Sequence, residues 1–388
     1  MAIISQTRQF GYIFQVQKIL GWAHANGIPV GPGRGAAPGS VVLYALGITG
    51  IDPLQHGLYF ERFLNPERAS LPDIDPDVCF DRRGELMEYI RTTWGAEQVT
   101  RLTSYGTWRP QFLQHEKVDP EIIERLRGVK RRRSSHAAAV LISQHPLPPA
   151  MPLWHDPETG WPVSYLSSEQ SEKCGYFVLD ILGLKALTRI DAVCRRIKER
   201  QPDFDIATID QHDSAAWLLF SNGNTNGVFQ FESEDIREYL RALQPTNMQQ
   251  LMLLNAAYRP GLMELLPQII DVLHGRATPD LPHPDLYPIL AESGGVIVYQ
   301  EQIMRIIAHF VGCSLADADL LRHGIAQKRA HGIDRMRQQL PEPAVARLLI
   351  QAPPAFLKSH AAAYSLVAYQ MAWIKANYPR DFTAVLRQ

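Results

Sequence analysis

Cysteine is scarce in this sequence: four residues in 388, Cys79, Cys174, Cys194 and Cys313, with no C-x-x-C pair among them. That spacing excludes a zinc ribbon as a local motif and supplies no disulfide framework, so reduced, buried thiols are expected. An excess of charge is missing as well. Lys plus Arg total 39 against 40 for Asp plus Glu, a formal net charge of -1. Such a balance gives no global footprint for nucleic acid or a membrane surface, and binding of either must rest on local patches. No apolar run approaches the ~18 residues that a membrane span needs. The N-terminal MAIISQTRQFGYIF lacks a basic region followed by an apolar core and a cleavage site. A cytoplasmic protein without a membrane partner is expected.

Hydrophobic residues make up 46% of the chain and charged residues 20%, the balance of a folded globular protein rather than a disordered one. At ~150 residues per domain the length suggests two or three domains. Residues 12–26 carry Ile13, Val16, Ile19, Leu20 and Ala23 at helical spacing. The glycine-rich VGPGRGAAPGS follows at 30–40, and then a buried helix from Val41. Residues 70–80, SLPDIDPDVCF, alternate as a strand does; HAAAVLIS (136–143) and YFVLDILGL (176–184) suit two buried strands. RLRGVKRRR (125–133) holds six basic residues and no acid. From Ala186 onward the pattern is mainly helical. A mixed α/β region to about residue 195, followed by a helical domain, is the predicted organisation.

Three features carry chemistry. In Asp73-Ile74-Asp75 the period-two alternation of a strand puts both carboxylates on one side. Parallel carboxylates repel, and a magnesium ion relieves the conflict; a solvated turn set by Pro72 and Pro76 is the alternative. GPGRGAAPGS is neither a Walker A loop nor a Rossmann fingerprint. It can turn backbone N–H groups toward phosphate, with Arg34 as a positive clamp and Gly39-Ser40 at a helix start, or it can be a purely structural turn. Asp180, set among Phe177, Val178, Leu179, Ile181 and Leu182, needs a cation, a donor or a cap. A phosphate loop, a D-x-D segment and a later strand Asp together describe a two-metal nucleotidyltransferase.

These segments also carry a resemblance. GPGRGAAPGS, FERFLNPERASLPDIDPDVCFDRR, HAAAVLIS and LDILGLKALT resemble successive palm motifs of the bacterial DNA polymerase III alpha subunit, a C-family replicative polymerase. GVFQFES, YRPG, YQEQIM, the text around 319–329 and FLKSHAAAYSLVAYQMAWIKANYP resemble its fingers motifs, in the same order. The resemblance implies an α/β palm similar to the polymerase beta nucleotidyltransferase fold, followed by a mainly α-helical fingers domain. The implied division is palm at 1–108 and 135–195, a reduced thumb or basic linker at 109–134, and fingers at 196–388. Asp73, Asp75 and Asp180 match the catalytic acids that hold two Mg2+ ions. Arg34, Gly39, Ser40, Arg322, Lys328, Lys358, His360 and Tyr364 are the implied nucleotide contacts. Arg259 and Arg329 are implied phosphate contacts to DNA, while the basic run Lys130, Arg131, Arg132 and Arg133, read from its charge alone, either grips duplex phosphates or forms a solvated loop.

The implied activity is template-directed addition of deoxynucleotides to a primer 3′-hydroxyl, with primer–template DNA and dNTP as partners beside other replication or repair proteins. The sequence departs from the family pattern in places. The resemblance starts at the palm and ends near the fingers, so the family's N-terminal PHP domain and its clamp-binding and OB-type regions are expected to be absent. Few residues stand where the thumb belongs. Ser135 and Val178 occupy positions where lysine is usual, and His323 follows Arg322 where a second arginine is usual. Weak, distributive synthesis is therefore expected, with a catalytically impaired DNA-binding or polymerase-associated module of the same fold as the alternative.

Overall fold

Ile13, Val16, Ile19, Leu20 and Ala23 do share one buried face, on helix α1 (Phe10–Ala25). The computed structural model describes residues 1–67, 72–108, 119–326, 334 and 337–387. These fall into two units, one made of residues 1–80 with 184–388, the other of residues 81–183. In the first unit, α1 leads into the glycine-rich loop and the short helix α2 (Val41–Ala45). Val30 bridges Val78 in antiparallel sense, so the loop enters alongside strand β1 (Asp77–Cys79). The strand is shorter than the alternation over 70–80 predicts. Pro72 and Pro76 have no N–H to give to a ladder, and residues 72–76 stay outside any strand. The alternation itself survives as burial: Asp73 is exposed and Asp75 half-buried, while Ile74 and Asp77 are buried.

The second unit contains helix α3 (Arg83–Trp94), strand β2 (Val99–Thr107), helix α4 (Pro120–Leu126) and strands β3 (Lys130–Ile142), β4 (Leu153–His155), β5 (Pro162–Ser164) and β6 (Phe177–Asp180). Its sheet runs β4-β5-β2-β3-β6. The β2–β5 pair is parallel and the other three pairs are antiparallel. A small apolar cluster, Leu102, Ala139 and Leu141, takes Tyr176 and Val178 against it. The β2–β3 register slips between Arg101↔Val140 and Thr103↔Ser135. There the His136 ring accepts N–H groups of Ala138 and Ala139 through Nδ1, at 3.3 and 2.8 Å. The irregularity thus keeps its amides satisfied. Beyond it the two strands continue as an exposed ribbon, and the basic run Lys130 to Arg133 lies on β3 rather than in a linker.

The chain then returns to the first unit with α5 (Lys185–Lys198), α6 (Ser214–Ser221), α7 (Met248–Ala257), α8 (Gln300–Val311), α9 (Leu315–Ala326) and α10 (Lys358–Asn377). Helix α10 is buried on nearly every face, as a helix rich in Ala with few charges permits. Ala361, Ala362, Val367, Ala368 and Met371 share one core with Ile190, Phe220 and Leu254, and with Ile51 and Leu58 from the N-terminal segment. All four cysteines are free; Cys79 and Cys194 are buried, whereas Cys174 is exposed, contrary to the expectation for it. No helix among the described residues is long and apolar enough to cross a membrane.

Candidate active site

The glycine-rich loop is fixed on every side within the first unit. Gly31 N–H donates to the Asp77 carbonyl at 2.7 Å, and Cys79 N–H to the Pro29 carbonyl at 2.9 Å. Gly33 has φ +104°, and a Cβ there would stand 2.9 Å from Thr49 Cγ2 and 3.0 Å from Pro38 Cγ. Only glycine meets both the conformation and the space. At the loop's tip, Gly35 N–H donates to His360 Nδ1 at 3.0 Å, and the Ser359 hydroxyl donates to the Gly35 carbonyl at 2.7 Å. The first turn of α10 therefore clasps the loop through both backbone polar groups of one residue, Gly35.

Gly39 and Ser40 serve the loop's packing. Their N–H groups are taken by the carbonyls of Ala36 and Ala37. Ser40 is fully buried, and its hydroxyl caps α2 by accepting from Leu43 N–H at 3.3 Å. A Cβ on Gly39 would meet the Tyr59 carbonyl at 2.9 Å. The expected phosphate-facing amides are thus engaged inside the protein, and α2 is too short to offer a helix-end field.

Arg34 is held differently. Its guanidinium donates to Asp77 Oδ1 at 3.3 Å and stands 5.9 Å from the Tyr364 ring centroid. Asp77 is 2% exposed, and its Oδ2 has no hydrogen-bond partner among the described residues. Burial pushes the Asp77 carboxyl above the usual range; Arg34 and the Tyr364 hydroxyl work against that rise. Tyr364 in turn is pushed well up, first by burial and then by Asp77, so it stays a neutral phenol. Asp75 adds to the same effect, which ties the D-x-D segment electrostatically to α10.

His360 stacks against Tyr364 with centroids 4.1 Å apart and meets the edge of Phe356 at 5.1 Å. Burial, then Arg34 and Arg259, lower its pKa to about 4. The ring is neutral, and because Nδ1 accepts from Gly35, its proton sits on Nε2. Arg259 lies 3.4 Å over the Phe356 ring and donates to the Ala256 carbonyl, so it joins this cluster rather than standing apart. Lys358 is neutralised by Glu292, Nζ to Oε2 2.7 Å. The Glu301 carboxylate, fully buried, accepts the N–H of Lys358 at 3.1 and 3.0 Å and of Ser359 at 3.4 Å. A side chain from α8 thereby caps α10. Burial raises the Glu301 pKa, and these hydrogen bonds oppose the rise.

Other expected contacts lie elsewhere. Arg322 is closed in a buried pair with Asp319 on α9, 2.8 Å, their side chains 6% and 0% exposed. That cation is spent on the helix and does not face solvent. Lys328 and Arg329 lie outside the described residues. Asp180 closes β6 opposite Ala139, half-buried, in the second unit, where it is a charge neighbour of Arg83. Arg83 itself donates through Nε to the Ile181 carbonyl at 2.7 Å. Within either unit, no three His, Cys, Asp or Glu side chains among the described residues gather as a metal cluster. Magnesium commonly takes one or two carboxylates and completes its shell with phosphate oxygens and water. The hard-oxygen donors Asp73 and Asp75 fit that pattern.

Two roles escaped the sequence reading. Asp77 continues the Asp73, Asp75 alternation by one step, and that continuation was the available signal. Glu301 stands in YQEQIM, where nothing in the spacing separates a buried cap from a solvated acid.

Comparison with known proteins decides the family. A model of the bacterial DNA polymerase III alpha NTPase domain matches residues 1–117 and 111–183, and one of the bacterial DNA polymerase III alpha subunit finger domain matches 186–347. The chain belongs to the bacterial DNA polymerase III alpha family. Similar members are the DNA polymerase III subunits alpha of Borreliella burgdorferi (36% identical, 96% of this chain, 38% of that one), Thermus aquaticus (36%, 100% and 37%) and Bacillus subtilis (36%, 98% and 40%). The chain therefore spans about two-fifths of the length of these family members. The alignments run over 433, 456 and 441 positions, more than the 388 residues of this chain, so the family members carry residues that it lacks. The NTPase-domain match breaks at residues 111–117.

Proposed function

We propose that the chain is the nucleotidyl-transfer core of a DNA polymerase, adding deoxynucleotides to a primer 3′-hydroxyl on a DNA template. The observation that carries this reading is the joining of three sequence-distant parts in the first unit: the Arg34 loop, the Asp73–Asp77 segment and the first turn of α10. Asp73 and Asp75 would hold the Mg2+ ions, on a palm of the polymerase beta type. Bound there, the ions supply positive charge that lowers the pKa of the attacking hydroxyl and stabilises the leaving pyrophosphate.

The protein's own groups do the rest. Arg34, fixed by Asp77 and only partly exposed, presents a permanent positive charge to a triphosphate. Neutral His360 offers its Nε2–H as a donor, and the Tyr364 ring beside it gives a flat apolar face for a base or sugar. Asp77 is a positioning residue: it fixes Arg34, and Ser359 and His360 fix the loop that bears it. Duplex binding belongs in this reading to Lys130, Arg131, Arg132 and Arg133. A shortened thumb, supported by the longer family alignments and the break at 111–117, makes the synthesis distributive.

A specific observation favours the second reading, a DNA-binding module with impaired catalysis. Val178 packs on Leu102, Ala139 and Leu141, so the place of a usual lysine is filled by core. Primer extension with Mg2+ on the purified chain separates the two. Template-dependent incorporation that Asp75→Asn lowers by about 10³-fold or more, with DNA affinity unchanged, supports the polymerase. Binding without incorporation supports the module.

A further inference from the structure

The exposed end of the β2–β3 ribbon carries a ladder of cations laid on aromatic rings. Lys130 Nζ lies 4.0 Å from the Tyr105 centroid, and the Arg131 guanidinium 4.4 Å from Trp108. Arg133 lies 4.5 Å from Trp154 and 5.0 Å from Tyr165, whose hydroxyl it also meets. The Trp154 indole is itself fixed, donating through Nε1 to Thr103 Oγ1 at 2.9 Å. In the register, Gly106 faces Arg132 and Thr107 faces Lys130, so Arg131 is the extra residue of a bulge. A bulge re-aims a side chain.

Residues 99–108 and 130–135 contain no acid. Among the described residues Lys130, Arg132 and Arg133 make no salt bridge to a carboxylate. Their charge is left uncancelled, and the rings hold three of the four cations extended on the surface instead of sweeping through solvent. For duplex phosphates alone, this arrangement is more than is needed; flexible lysines suffice for a point charge. Guanidinium planes fixed on rings, with the Tyr105 and Tyr165 rings exposed among them, suit the flat faces of unpaired bases while the charges take the phosphates.

We propose that this ribbon end is a docking surface for single-stranded nucleic acid, which it grips by base stacking as well as by charge. The proposal rests on reading the chain as a DNA-handling protein and adds which form of the strand this surface takes. Duplex DNA hides its base faces, so the rings contribute nothing to it.

The test measures equilibrium binding of a fluorescein-labelled oligothymidylate of about 20 nucleotides, and of a duplex of equal length, by anisotropy in EDTA without dNTP. Trp108→Ala and Tyr105→Ala should each weaken oligothymidylate binding about tenfold and leave duplex binding within about twofold. Trp108→Phe, which keeps a ring under Arg131, should restore binding. An equal loss on both DNAs, or no loss on either, overturns the proposal. Because the measurement needs no turnover, an inactive chain that shows the single-strand effect refutes only the polymerase reading. An active chain without the effect refutes only this one.

Discussion

Removing the two halves of the Arg34–Asp77 pair should have opposite consequences for stability. Asp77 is buried, and its carboxyl is raised by that burial even with Arg34 beside it. The ionised form is therefore held in the folded chain at a net cost, which Asp77→Asn removes. At pH 7 that variant should be as stable as the parent or slightly more so. Arg34→Gln does the reverse and leaves a buried carboxylate with one oxygen already unpartnered. Losing one partner of a buried pair costs about 3–5 kcal/mol. The Arg34 side chain keeps 28% exposure, so solvent screens part of the interaction, and about 2–3 kcal/mol is expected. The double variant should recover most of it.

The pH dependence follows from the sign of the shift. An acid whose folded pKa is raised loses stability as pH climbs from the unfolded value, ~3.9, through the folded one. Below that window the carboxyl is protonated in both states, and the Arg34→Gln deficit should shrink. Urea titration followed by far-ultraviolet circular dichroism at pH 4, 5 and 7 measures all three variants. A destabilised Asp77→Asn with a neutral Arg34→Gln, or a deficit that does not change with pH, would refute the reasoning.

The cap on α10 gives another prediction. Glu301→Ala leaves the Lys358 and Ser359 N–H groups without their acceptor and should cost about 1–3 kcal/mol, while Glu301→Gln, which keeps an acceptor oxygen, should cost less; denaturation again reads the difference. Neutralising Arg131, Arg132 and Arg133 together should flatten the salt dependence of duplex binding. Each lost phosphate contact lowers the slope of log K against log salt by about 0.9, and an unchanged slope means that none of the three touches phosphate.

Much of this was legible beforehand. Helical spacing marked α1, and the motif order marked the family from the glycine-rich loop to α10. The alternation of Asp73, Ile74 and Asp75 persists as alternating burial, although prolines keep those residues out of the strand that the alternation predicts. What escaped was settled by partners far away in sequence. Ser40 and Gly39 look like phosphate contacts until their N–H groups are seen bound to Ala36 and Ala37. Arg322 and Lys358 look like free cations until Asp319 and Glu292 are found beside them. Local pattern reports which residues are charged; only packing reports which charges are already cancelled.

The hydrogen bond from Gly35 to His360 spans 325 residues of chain. A ribosome adding ~5–20 residues per second takes roughly 15–65 s to cover that interval. Throughout it, the glycine-rich loop has been made but the helix that clasps it has not. Residues 81–183, a contiguous unit, are all made within the wait. The first 80 residues cannot complete their core, because Ile51 and Leu58 pack in the cluster that holds Val367 and Met371. Synthesis of this chain thus holds an unfinished apolar surface open for tens of seconds, the interval in which chaperone capture competes with aggregation.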